Sequence, residues 1–215
     1  KNIPRVLMSI EVLRRSVNTG LQFNDSVHPL IQKIYKQRRI SDADELELGL
    51  NNLLTPDKLM GIGDAVELLM IALEQQQRVL IVADFDADGA TSCVVAINCL
   101  KQFGLKQIDY VVPNRFEFGY GLTPEIVELG RLKNPDLIIT VDNGISSVAG
   151  VECANAAGIA VLITDHHIAP SHLPAAQAIL NPNQPGCEFP SNAIAGVGVA
   201  LYLIRPLRSH LRRLQ

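Results

Sequence analysis

Five consecutive apolar residues, Val79 to Ala83, run straight into three aspartates spaced two apart, Asp84, Asp86 and Asp88, and then into Gly89. An apolar run of this length that ends in turn chemistry reads as a buried strand, and the longer apolar segment after Gly89 has helical length. Three carboxylates crowded at one strand end repel one another unless positive charge lies between them. A divalent cation supplies that charge most directly, because hard ions take carboxylate oxygens. The competing reading is a polar loop whose aspartates cap the following helix.

Two other motifs share these residues. A calcium-binding EF-hand loop also begins D-x-D-x-D-G, but it needs a helix in front and a bidentate Glu at its twelfth position. Here a strand precedes and Val95 stands at that position, so the reading fails. A haloacid-dehalogenase-type phosphatase begins with strand-D-x-D and continues to a Thr; Asp88 in that place weakens the match.

From Arg78 onward the pattern alternates. Strands are predicted at 79–83, 108–112, 137–141, 160–164 and 177–180, with helices at 90–102, 124–132, 146–157 and 195–213. Nearly all-apolar strands alternating with helices indicate a parallel sheet covered on both faces. The expected class is α/β, a parallel sheet flanked by helices, preceded by an N-terminal helical segment over 1–77. In that segment His28 to Arg38 places apolar residues at 30, 31 and 34 on one helical face. Ser41-Asp-Ala-Asp44 fits a capping box opening a helix through Leu50. Thr55-Pro56-Asp57 reads as a cap with proline at the first helical position, and Ile62 to Leu73 continues with amphipathic spacing. There is no internal repeat or low-complexity tract.

In parallel sheets the ligand site lies outside the carboxyl ends of the strands. Each predicted strand delivers chemistry there: Asp84, Asp86 and Asp88 after the first, Pro113, Asn114 and Arg115 after the second, Asp142, Asn143 and Gly144 after the third, and Asp165, His166 and His167 after the fourth. Asp and His without thiolates suit Mn²⁺ or Mg²⁺ better than structural zinc. The ligands suffice for two ions, and a pair about 3.5–4 Å apart can activate a water and stabilise both oxygens of a phosphoryl displacement. Asp142, alone at its strand end, is placed to bridge them. Adjacent side chains do not easily reach one ion, so one of His166 and His167 is expected to be a ligand and the other to face the scissile phosphate. Arg115 suits bidentate phosphate binding, and Phe116, Phe118 and Tyr120 offer faces on which a base can stack. His28, His172 and His210 read as ordinary structural or surface residues.

Composition sets the remaining bounds. At 215 residues, 47% hydrophobic and 19% charged, the chain has the make-up of an ordinary globular protein with one sizeable core. No apolar run approaches the roughly 18 residues of a membrane span, and Lys1 opens no secretory signal. Cys93, Cys99, Cys153 and Cys187 match neither a zinc pattern nor CxxC, and read as reduced thiols of a cytoplasmic protein. A net charge of −3 argues against a uniformly basic surface, though bound divalent ions would offset acidic side chains locally. The clusters Lys33, Lys36, Arg38, Arg39 and Arg205, Arg208, Arg212, Arg213 read as solvated helix faces.

Asp165-His166-His167 after an apolar strand, together with Asp84-Phe-Asp-Ala-Asp-Gly89 and Val141-Asp142-Asn143-Gly144, resembles the DHH phosphoesterase family. Four further stretches are similar to its single-strand-specific exonuclease branch: Val112-Pro-Asn-Arg-Phe-Glu-Phe-Gly-Tyr-Gly-Leu122, Thr140-Val-Asp-Asn-Gly-Ile-Ser-Ser147, Ile179-Leu-Asn-Pro-Asn183 and Ala195-Gly-Val-Gly-Val-Ala200. The likeness runs from about residue 25 to the end. It implies a metal-dependent 5′→3′ exonuclease that hydrolyses phosphodiesters of single-stranded DNA by two-metal catalysis, in recombination and repair. It implies two Mn²⁺ or Mg²⁺ ions held by Asp84, Asp86, Asp88, Asp142 as the bridge, and His166. Catalytic roles fall to His167, at the scissile phosphate, and to Asp88; Arg115, Asn114 and Tyr120 would bind substrate. The implied partners are single-stranded DNA with a 5′ end, a single-strand-binding protein and a helicase.

Two departures stand out. Many relatives have a histidine two residues before the first aspartate, where this chain has Val82, so Asp84 is expected to substitute in the metal shell. The family also expects a further aspartate ligand downstream of the last glycine-rich stretch, whereas no Asp or Glu follows Glu188. Residues 78–215 are therefore expected to form a C-terminally incomplete catalytic domain, without the closing domain or the oligonucleotide-binding-fold domain. The alternatives are a small-nucleotide phosphodiesterase or phosphatase of the same family, and a chain that is catalytically silent alone.

Overall fold

The computed structural model describes residues 13, 22, 23, 27–38, 40, 42–47 and 49–214. Residues 1–54 and 55–215 form two compact units. In the first, α1 (Pro29–Gln37) begins where the sequence predicts, with the His28 ring accepting the Leu30 N–H at 3.2 Å and proline at the first helical position. Ser41 and the side chain of Asp44 lie outside the described residues, as does Arg39. The helix expected through Leu50 is instead two 3₁₀ turns, Ala43–Leu46 and Leu50–Asn52. Apolar residues at 46, 48 and 50 alternate and so line no helical face.

In the second unit Thr55 makes no side-chain cap, and Pro56–Lys58 is a single 3₁₀ turn. The helix begins only after Gly61, as α2 (Ile62–Glu74). Gly61 has φ +81°, and a Cβ there would sit 2.4 Å from the Ile179 carbonyl oxygen, so a left-handed turn against neighbouring backbone separates the two pieces. The alternating part then follows as β1 (Val79–Ala83), α3 (Ala87–Gln102), β2 (Ile108–Val111), α4 (Arg115–Phe118), α5 (Pro124–Arg131), β3 (Leu137–Val141), α6 (Val148–Ala156), β4 (Ala160–Thr164), β5 (Ala178–Leu180) and α7 (Gly196–Arg213). No helix among the described residues is long and apolar enough to cross a membrane.

All five strands pair in parallel, in the order β2-β1-β3-β4-β5. β1 and β3 are buried throughout, β1 as an unbroken aliphatic run and β3 with Thr140 donating its hydroxyl to the Asn143 carbonyl, whereas the edge strand β2 leaves Asp109 and Tyr110 exposed. Leu80, Val82, Ile138, Val161 and Ile163 pack on one face with Leu122 and with Ile126 and Val127 of α5 and Val151 and Ala154 of α6. Helix α3 packs against α7 and β1, and α2 against α7 and β5. Helix α2, which the sequence reading grouped with the N-terminal segment, thus shares its compact unit with the sheet.

Helix α3 starts three residues before its predicted start at 90, because Asp86 caps it. The turn depends on Gly89, where a Cβ would lie 2.3 Å from the carbonyl oxygen of Asp84. Gly89→Ala is expected to destabilise the fold by about 3 kcal/mol, since backbone cannot yield as a side chain does. Gly63→Ala, with nothing within 4 Å of the new methyl, is expected to be neutral or stabilising by about 0.4–1 kcal/mol. Urea unfolding of the two variants checks the contrast.

Candidate metal centre

The strand order changes direction at β1 and β3, and such a switch point opens a crevice at the carboxyl ends of the strands. Ala83 pairs with Val141 and Val141 with Thr164, so the next residues, Asp84, Asp142 and Asp165, form a row across three strands. All three carboxylates are buried. Helix α3 brings Asp86 and Asp88 to the same row.

The aspartates have different partners. Asp84 takes the guanidinium of Arg115, Nε to Oδ1 at 3.0 Å and Nη2 to Oδ2 at 2.5 Å, and its Oδ1 also accepts the Phe85 N–H. Asp86 accepts the Asp88 and Gly89 N–H groups on Oδ1 at 3.0 and 3.1 Å, while its Oδ2 lies 3.6 Å from Arg115. The Gly89 N–H is the main reason its pKa falls below the ordinary carboxylate value. Capping and cation binding are thus compatible at Asp86, since the cap uses one oxygen only. Asp88 accepts the first two N–H groups of α7, Gly196 on Oδ2 at 2.7 Å and Val197 on Oδ1 at 2.9 Å.

Asp142 is the exception. It is 1% exposed, holds a left-handed φ of +63°, and its Oδ1 has no hydrogen-bond partner. Burial, then the charges of Asp88 and Asp86, push its pKa up to about 8. Nε2 of His166 lies 3.0 Å from Oδ1, a contact not aligned as a hydrogen bond. Nδ1 of His166 lies 2.8 Å from the Ile194 carbonyl, which can only accept, so in the neutral ring Nδ1 carries the proton. Nε2 then turns its lone pair on Asp142 and on Asp88 Oδ2, 3.7 Å away. A lone pair facing two carboxylates is stable only with a proton or a cation between them. A backbone carbonyl fixing the distal nitrogen is how metal-bound imidazoles are held, and this donor set of oxygens and one imidazole fits Mn²⁺ or Mg²⁺.

His167 also comes within 4.8 Å of Asp142 and His166, contrary to the expectation that adjacent side chains do not easily meet at one point, but it is held differently. Its Nδ1 lies 2.7 Å from Oδ1 of Asp165 and its ring meets the Tyr120 hydroxyl at 3.2–3.3 Å. Burial pulls its pKa down, but the hydrogen bond and charge of Asp165, with the charges of Asp142 and Asp84, outweigh this and raise it. Burial, then the charges of Asp165, Asp84 and Asp142, raise the Tyr120 phenol above its ordinary value.

Four of the five predicted ligands, Asp84, Asp86, Asp142 and His166, converge in two groups that share Asp142, and the second group also takes in His167; Asp88 stands at their edge, its Oδ2 3.7 Å from His166 Nε2. Ligand atoms of Asp84, Asp86 and Asp142 lie within 4.8 Å of one another, as do those of Asp142, His166 and His167. Arg115 stands beside them with its guanidinium 5.5 Å from the Tyr120 ring centre, and Phe116 is 95% exposed. Asn114 is engaged in capping α4, accepting the Phe116 N–H and donating to Glu117. Phe118 packs against the core. Sequence reasoning assigned no work to the residues that brace the histidines. Asp165 accepts the N–H groups of His166, His167 and Ile145, and Asn181 and Asn183 donate to the carbonyls of His167 and His166. The Asn-Pro-Asn stretch signalled this as a motif without a role.

Residues 78–214 match the DHH family, N-terminal domain. The chain is 50% identical over 200 residues to the single-stranded-DNA-specific exonuclease RecJ of Dickeya dadantii, covering 93% of this chain and 35% of the relative. Against the RecJ of Escherichia coli it is 47% identical over 203 residues, covering 94% and 35%. It thus spans about a third of the length of these relatives. A crystal structure of exonuclease RecJ bound to manganese superposes with a TM-score of 0.65 at 32% identity, covering 74% of this chain and 40% of the other. The sheet order, the strand-end carboxylates, the histidine pair and the match over 78–214 agree: this chain belongs to the DHH family.

Proposed function

We propose that this chain carries the metal-dependent core of a 5′→3′ exonuclease that hydrolyses phosphodiesters of single-stranded DNA in recombination and repair. The observation that carries the reading is the buried, unpartnered Oδ1 of Asp142 facing the lone pair of His166. The RecJ names of the relatives, and the manganese of one structural neighbour, support the substrate and the ion.

Asp86, Asp88, Asp142 and His166 would hold the ions in this reading. Asp84 joins the shell if Arg115 is drawn off toward a phosphate. When bound, divalent ions supply an activated water and offset charge on the displaced oxygens. His167, its pKa raised, would donate from Nε2 to a phosphoryl oxygen while Asp165 holds the opposite nitrogen, and Asp88 would serve catalysis as one of the carboxylates that hold a cation. Arg115 receives a terminal phosphate, Tyr120 orients His167, Asn114 secures the loop that carries Arg115, and Phe116 offers a stacking face to an unpaired base. Residues 78–215 are the catalytic domain in this reading, in a cytoplasmic enzyme working with 5′-ended single strands, a single-strand-binding protein and a helicase.

Mn²⁺ titration calorimetry on the chain, with hydrolysis of 5′-phosphorylated single-stranded DNA, duplex DNA, dinucleotides and pyrophosphate in parallel, tests this. Mn²⁺ binding is expected, and two ions with mononucleotide release from single strands would mean that this chain holds a complete two-ion site. Preference for dinucleotides or pyrophosphate would move the assignment to a small-nucleotide phosphodiesterase. Binding without turnover is the result for a chain silent by itself, and the absence of Mn²⁺ binding would overturn the reading.

A further inference from the structure

Gly196 opens α7, and a Cβ there would lie 2.5 Å from Oδ1 of Asp142 and 2.9 Å from its Cβ and Cγ. Asp142 is buried and cannot swing away. The same glycine donates its N–H to Asp88 at 2.7 Å, Val197 donates to the other oxygen at 2.9 Å, and Ile194 accepts from His166 at 2.8 Å. One short stretch therefore touches ligand residues carried by three separate elements: the first turn of α3, the end of β3 and the end of β4. The backbone gives no reason for glycine here. Gly196 is helical, lies outside the left-handed region, and is preceded by Ala195, which makes no side-chain cap. Gly198, two residues on, meets only the Ile194 Cβ at 3.6 Å, an ordinary contact.

We propose that Gly196 is a positioning residue of the metal centre: its missing side chain sets how closely the first turn of α7 approaches Asp142, and hence the spacing of the Asp142, Asp88 and His166 ligand atoms. The proposal rests on the cation reading above. A methyl at 196 must push α7 outward, drawing the two N–H groups off Asp88 and the Ile194 carbonyl off His166 together. A methyl at 198 meets no such obstacle.

Gly196→Ala and Gly198→Ala are compared with the unmodified chain by circular dichroism, Mn²⁺ calorimetry and electron paramagnetic resonance of bound Mn²⁺. Gly196→Ala is expected to keep the fold, weaken Mn²⁺ binding about 10- to 100-fold and alter the spectrum, as removal of an outer-shell partner does; Gly198→Ala is expected to change neither. Unchanged affinity and spectrum in a folded Gly196→Ala variant would end the positioning role and leave the cation reading intact. No Mn²⁺ binding by the unmodified chain would remove both. If Gly196→Ala does not fold, amide exchange on the unmodified chain decides. Mn²⁺ is expected to slow exchange at Gly196 and Val197 about tenfold relative to the last turn of α7, and equal rates with and without Mn²⁺ would overturn the proposal.

Discussion

Asp142→Asn is expected to abolish Mn²⁺ binding and, in the absence of metal, to make the chain more stable at pH 8. Asparagine is nearly isosteric and is among the few non-glycine residues that accept a left-handed φ such as the +63° found here. The substitution therefore removes charge without adding strain, which alanine would not do. The carboxylate is disfavoured first by burial and then by Asp88 and Asp86, and its pKa rises from 3.8 to about 8. The sign follows directly. Between those values the folded chain binds a proton that the unfolded chain has lost, so stability falls as pH rises. The contribution is fully present below about pH 3.8 and is gone above about pH 8. Urea unfolding across this range should show the slope in the metal-free chain and a flatter one in the variant. The gain at pH 8 is on the order of 1–3 kcal/mol, the cost of a buried unsatisfied group. With Mn²⁺ the trend reverses, because the ion must displace that proton, and affinity should climb until about pH 8. A variant that binds Mn²⁺ like the unmodified chain would end the bridging role.

Most of the alternating fold could be read from periodicity. β1, β3 and β4 fall where their apolar runs place them, because strands buried on both faces are nearly all apolar, and the two threonines they contain, Thr140 and Thr164, satisfy their hydroxyls on backbone carbonyls. The convergence of Asp84, Asp142 and Asp165 was legible too, since parallel strands of matched length end at one edge. Three kinds of feature escaped. Helix α4 is one turn long and held by the Asn114 cap, too short to show a period. The break between the 3₁₀ turn Pro56–Lys58 and α2 depends on Gly61 meeting the backbone of β5, a contact between residues far apart in sequence. One support of the histidine pair, the Ile194 carbonyl, is backbone and carries no side-chain signature, while the side chains of Asp165, Asn181 and Asn183 were visible only as motif residues without a stated use.

Asp165→Asn is expected to destabilise the chain, opposite in sign to the same substitution at Asp142 one strand away. Asp165 is fully buried, yet its oxygens are occupied: Oδ1 accepts the N–H of His166 at 2.7 Å, the N–H of His167 at 3.1 Å and Nδ1–H of His167 at 2.7 Å, and Oδ2 accepts the Ile145 N–H at 2.9 Å. All these partners donate. An amide offers one acceptor and one donor, so whichever way the substituted side chain turns, its NH₂ faces an N–H. Leaving buried donors unmatched costs about 1–3 kcal/mol each, and Asp165→Ala, which frees all of them, should cost about 3–5 kcal/mol. A second readout separates loss of the brace from general softening. Asp165 supplies the largest upward influence on the His167 pKa, after burial has pulled it down, so the variant's His167 should titrate lower in a proton NMR titration. The raised value also means that this imidazole contributes stability that is present below the unfolded pKa near 6.5 and lost as pH rises through the folded one. The variant should therefore lose most at acidic pH and least above neutrality from this source. Equal stability, or an unshifted His167, would mean that Asp165 does not hold the pair and that the ring is oriented from the Tyr120 side.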